Sequence, residues 1–118
     1  MMKYRWLIFA GIFPAMAFAQ ELTQVTVVHQ KTYQVVSTLS NAEALGKFSR
    51  LWKEKLLEKP AAEPQWVYKI DIETAQNSDR WLYDPRGWTK LRSHTETPVY
   101  RLSAAAEFNR LLGITHPE

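Results

Sequence analysis

Trp81-Leu82-Tyr83-Asp84-Pro85-Arg86-Gly87-Trp88-Thr89-Lys90-Leu91-Arg92 is the stretch whose reading decides the fold. At its centre, Asp84-Pro85-Arg86-Gly87 has the residues that a type I turn with a bulge glycine prefers: Asp first, Pro to preset φ, and Gly where φ must be positive. A three-residue loop sets Asp84 opposite Trp88, Tyr83 opposite Thr89 and Trp81 opposite Leu91. One face of the hairpin is then Trp81, Tyr83, Thr89 and Leu91. The other is Arg80, Leu82, Asp84, Trp88, Lys90 and Arg92, which is mostly charged. A two-residue loop would mix charged and apolar residues on both faces, so the bulged turn is the self-consistent one.

Upstream of the hairpin, Trp66, Tyr68, Ile70 and Ile72 alternate with Val67, Lys69, Asp71 and Glu73, the period of a half-buried strand. Pro60-Ala61-Ala62-Glu63-Pro64 before it is a stiff connector. Farther back, Thr23 to Gln30 and Thr32 to Thr38 are β-prone runs that predict a hairpin, the second carrying Tyr33, Val35 and Val36. Ser40-Asn41-Ala42-Glu43 has the spacing of a capping box and predicts a helix with Ser40 as its cap. Leu45, Phe48, Leu51, Trp52 and Leu56 form its apolar stripe. Lys47, Arg50, Lys53, Lys55 and Glu58 look outward, and the helix should end near Lys59, before Pro60. Downstream, Pro98 to Leu102 reads as a strand. A last helix opens at Ser103 as N-cap, buries Ala104, Ala105, Phe108, Leu111 and Leu112, and stops at Gly113. The expected fold is a single small α+β domain with an antiparallel sheet of about five strands and two helices packed on one face, in the order β-β-α-β-β-β-α. The second face of such a sheet stays at least partly open to water.

The N-terminus carries Lys3 and Arg5, an apolar run from Trp6 to Met16, and Ala17-Phe18-Ala19 before Gln20-Glu21, the layout of an export signal cleaved after Ala19. The run is far short of the roughly 20 residues needed to cross a bilayer. Without cysteine the chain has no site for lipoprotein acylation. The expected product is residues 20–118, periplasmic or secreted, with no integral membrane segment after cleavage of residues 1–19. Cleavage removes two of the 15 Lys and Arg, leaving 13 against 12 Asp and Glu, a net charge of +1. So balanced a chain has no overall field to draw in nucleic acid, and any electrostatic recognition must be local. A length of this order suffices for one core. With no disulfide to help, stability rests on burial, which the tryptophans and other aromatics supply.

Few residues have the spacing of catalytic or metal chemistry. His29, His94 and His116 are far apart and no cysteine accompanies them, so neither a metal nor another cofactor is expected. Ser93-His94 are mere neighbours, which point apart in a strand or loop. Asp71 and Glu73 share a strand face within reach of Lys69 and Arg80, where ion pairs keep carboxylates charged rather than ready to donate a proton. The expectation is therefore no enzyme, with a small periplasmic hydrolase as the remotest alternative. The better candidate is the open sheet face. There Arg80, Lys90 and Arg92 surround Trp88, with Arg86 in the turn and Arg101 on the strand alongside. Arg and Trp are the residues most enriched at binding hot spots, although an ordinary solvated face would also let basic side chains cover Trp88 and pair with Asp71 and Glu73. The reading is a non-catalytic binding module of the envelope, inhibitor- or adaptor-like, with a protein partner. A small-ligand or glycan-binding domain, in which Trp88 and Trp66 or Trp81 stack on sugar rings, is the alternative. A free sheet edge could also pair two copies into a dimer.

Overall fold

The computed structural model describes residues 21–114. The expected export segment, its cleavage site and His116 lie outside the described residues. Along the chain run β1 (Leu22–His29), β2 (Val35–Leu39), α1 (Ala42–Lys53), β3 (Leu56–Leu57), β4 (Tyr68–Thr74), β5 (Ser78–Asp84), β6 (Trp88–Leu91), β7 (Val99–Arg101) and α2 (Ala105–Leu112). The strands form one seven-stranded antiparallel sheet in the order β2-β1-β4-β5-β6-β7-β3. Both helices pack on one face, as the α+β reading required, and the sheet is wider than expected.

The expected order counts three strands after α1, one fewer than the segments read as strands there, Trp66 to Glu73, the two arms of the turn and Pro98 to Leu102; the structure has those four and adds β3. The helix ends at Lys53, not near Lys59, because the Glu54 N–H turns back to the Leu51 carbonyl at 3.3 Å. Leu56 therefore leaves the helical stripe, and β3 adds to β7 with Leu56 opposite Arg101 and Leu57 opposite Tyr100. The helix also starts one residue later than the capping box implied. Asn41, not Ser40, is the N-cap, its Oδ1 accepting the Ala44 N–H at 2.8 Å. At α2 the N-cap is Ala104 with no side-chain bond, since the Ser103 hydroxyl donates to the Glu54 carbonyl at 3.2 Å. Gly113 ends α2 in the left-handed conformation, as expected. In the first hairpin Tyr33 belongs to the turn and not to a strand. Its φ of 63° lets its N–H reach the His29 carbonyl at 2.9 Å.

The hairpin around the turn has the expected register: Trp81 opposite Leu91, Tyr83 opposite Thr89, Asp84 opposite Trp88. Gly87 has a φ of +111°, and its N–H closes the turn on the Asp84 carbonyl at 2.7 Å. The core-facing positions of the sheet, Val25, Val27, Ile70, Ile72 and Tyr83, meet Phe48 and Leu51 of α1 and Phe108 and Leu112 of α2. Phe108 lies at the centre, 5.4 Å from the Phe48 ring and 5.3 Å from Tyr83. One step beyond it on α2, the side chain of buried Asn109 joins the helix to the turn. Its Oδ1 accepts the Tyr83 hydroxyl at 2.5 Å and its Nδ2 donates to the Pro85 carbonyl at 2.7 Å.

A Cβ at Gly87 would come within 3.0 Å of the Ala105 Cβ, in a backbone conformation that β-branched residues resist. Gly87→Val should therefore cost about 2 kcal/mol or more, read as a lower urea midpoint with an unchanged slope. An unchanged midpoint would contradict this account of the turn.

Candidate functional site

Strand alternation assembles the face opposite the helices. Lys69 and Asp71 come from β4, Arg80, Leu82 and Asp84 from β5, Trp88 and Lys90 from β6, and Arg101 from β7. Arg92 follows β6, its backbone N–H donating to the Arg80 carbonyl at 2.9 Å. The expected residues Arg80, Trp88, Lys90, Arg92 and Arg101 thus share neighbouring positions, and Arg86 sits in the turn at the end of the face.

Their partners divide them. Arg80 forks onto Asp71, directly opposite on β4, at 2.6 and 2.9 Å, and these bonds raise its pKa above the ordinary value. Arg86 is a brace for the turn: its guanidinium donates to the Asp84 carboxylate at 2.6 and 3.1 Å. Arg101 lies 5.0 Å over the Trp88 ring and 3.6 Å from Glu58. Lys90 lies 5.6 Å over Trp66, and no carboxylate is within salt-bridge distance of it or of Arg92 among the described residues. Trp66 was expected in the alternation of β4, but that strand begins at Tyr68. The connector delivers the indole to Lys90 because the Gln65 N–H is fixed by Asp84 at 2.8 Å and Pro64 is buried. The result is a row of two tryptophans with a cation over each, Trp66 with Lys90 and Trp88 with Arg101.

Asp71 and Asp84 are engaged in structure, the first by Arg80 and the second by Arg86 and the Gln65 N–H. Burial alone would push the Asp84 carboxyl up. The Arg86 side chain and backbone, with the Gln65 N–H, outweigh that and hold it below its ordinary value. An acid poised to protonate a leaving group needs the opposite shift. The open groove of about 590 Å³ between the start of β1 and α1 is lined by Leu22, Ala42, Leu45, Gly46 and Ser49, with Glu21 its one ionisable residue among the described residues.

Lys55 is the residue whose surroundings the helical pattern misplaced. Its position two residues past the end of α1 turns it inward, where its Nζ lies 4.3, 5.1 and 5.3 Å from the ring centroids of Trp52, Trp81 and Tyr100. The Trp52 carbonyl accepts from the same amine at 3.3 Å. Desolvation lowers its pKa to about 8, while the ring faces favour the charged form. Between pH 8 and the ordinary lysine value the unfolded chain binds more protons than the folded one, so stability rises with pH across that window. The wild-type urea midpoint should climb from pH 8 to pH 9.5 relative to Lys55→Met, which has no ammonium to desolvate. Parallel pH profiles for the two proteins would show that Lys55 keeps its ordinary affinity for protons. Compared with known protein families, curated proteins and solved structures, the chain matches none.

Proposed function

We propose that this chain is a non-catalytic binding module of the bacterial envelope or the extracellular space, which engages a protein partner with an acidic surface through the open sheet face. The observation that carries the reading is the row of Trp66, Lys90, Trp88 and Arg101, continued by Arg92. In that row Lys90 and Arg92 have no carboxylate of their own among the described residues. Lys90, held over a ring, and Arg92 therefore remain available to a partner's carboxylates. The guanidinium of Arg101, about half exposed, can fork to a second acceptor beyond Glu58. The rings supply apolar area that is already held in place, so little conformational entropy is lost on docking.

The glycan reading needs free, coplanar ring faces. Lys90 and Arg101 lie over the indoles that would offer them, so a sugar would first have to displace both cations. The enzymatic reading needs a carboxyl raised by its surroundings, and Asp84 is shifted the other way.

Affinity capture from envelope extract, followed by binding of the purified retained protein, tests the proposal. Trp88→Ala combined with Arg92→Glu should weaken that binding by at least about tenfold, the loss expected when interface hot spots are removed. Raising the salt concentration should weaken the wild type as well. Equal affinity of the two forms for the purified protein would overturn the assignment of this face.

A further inference from the structure

The rings around Lys55 form a corner. The planes of Trp52 and Trp81 meet at 86° with their centroids 5.0 Å apart, and Tyr100 stands 6.2 Å from Trp81, tilted by 57°. The Lys55 Nζ sits between these walls, 4.3 to 5.3 Å from all three centroids. The core holds the corner in shape. Trp52 stacks on Phe48 at 5.3 Å and on Phe108 at 5.8 Å. Trp81 and Tyr100 are placed by the pairing of β5 and β7 with β6 between them, where Trp81 is opposite Leu91 and Tyr100 opposite Thr89. All three rings are only partly buried, and they lie on the side of the sheet that carries the helices, away from the row of Trp66 and Trp88.

A lysine is a poorly matched occupant of such a corner. Its ammonium carries three N–H donors and a strongly held hydration shell. The surroundings offer ring faces, the Trp52 carbonyl at 3.3 Å and, among the described residues, no carboxylate within salt-bridge distance. Donors left without acceptors and water stripped from a cation both cost free energy, and the same burial draws the Lys55 pKa down to about 8. A quaternary ammonium has no N–H to leave unpaired and holds its water loosely, and inclined aromatic walls are the surface that recognises it. We propose that Trp52, Trp81 and Tyr100 form a binding site for a trimethylammonium group, as in choline, and that Lys55 is its built-in competitor, filling the corner until such a ligand displaces it. Lys55 can leave because it lies between α1 and β3 on a flexible four-carbon stem, tied to the corner by a single hydrogen bond to the protein. The resident ammonium also sets the affinity. A ligand binds only those molecules whose corner is free, so its apparent affinity falls by that fraction.

The corner is separate from the open sheet face, and its test does not use the partner of that face. Titration of the purified protein with choline chloride, followed by tryptophan fluorescence against a matched series of sodium chloride, should show saturable binding. Lys55→Ala empties the corner and should tighten that binding by about tenfold. Adding Tyr100→Leu, which keeps an apolar side chain but removes a ring, should weaken it again. Nuclear Overhauser contacts should join the ligand's methyl protons to the indoles of Trp52 and Trp81. Circular dichroism confirms that the variants are folded, and the Overhauser contacts in the wild type decide the matter if one is not. Vesicles of phosphatidylcholine, set against vesicles of phosphatidylglycerol, separate the sources of the group. Cosedimentation with the first alone, reversed by free choline, supports the site with a lipid headgroup as ligand; choline binding without cosedimentation supports it with a free solute. A Lys55→Ala protein with no saturable response to choline would overturn the proposal. So would equal affinity of the wild type and Lys55→Ala, or methyl contacts only to rings outside the corner.

Discussion

The buried amide of Asn109 accepts from Tyr83 and donates to the carbonyl of Pro85, and the rest of the molecule is arranged around that junction. Tyr83 is a central-strand residue with no exposed surface, and its hydroxyl would otherwise be a buried donor without an acceptor, at a cost of about 1–3 kcal/mol. The same amide fixes α2 against the turn, and the turn fixes the register of β5 on β6. From the other side, the Leu102 N–H donates to the Gly87 carbonyl at 2.8 Å, joining the end of β7 to the same four residues. Surface pairs such as Lys47 with Glu43 and Arg50 with Glu107 contribute less than about 1 kcal/mol each. The junction, buried on all sides and beside the Phe108 contacts, thus contributes more than such surface pairs do.

What the junction holds in the core it also arranges on the open face. Asp84 ends β5 and carries the turn through Arg86, yet its second role is to accept the backbone N–H of Gln65. That bond ties down the crossover from the β3 edge to the middle of the sheet, and Trp66 follows it directly. A single buried carboxylate thus braces the turn that opens β6, where Trp88 and Lys90 stand, and fixes the chain path that brings Trp66 beneath Lys90. Fold and candidate site share one set of constraints, so substitutions at Asp84 change both together.

The turn, its register and the membership of the open face were legible because each rests on local chemistry: a proline and a glycine in fixed places, then strict alternation. The stripes of α1 and α2 were legible from period alone. Ser40 and Asn41 are adjacent and both cap well, so choosing between them requires the path of the incoming strand. The fate of Lys55 turned on where α1 ends, and that end is set by β3 pairing with β7, a contact between segments more than 40 residues apart. Trp66 fits the alternation of β4 in sequence, but its place depends on a hydrogen bond from its neighbour to Asp84. Nor could the sequence divide the arginines into those held by carboxylates and those free of them. Arg86 and Arg92 are alike as letters, and only the folded chain puts Asp84 beside the first.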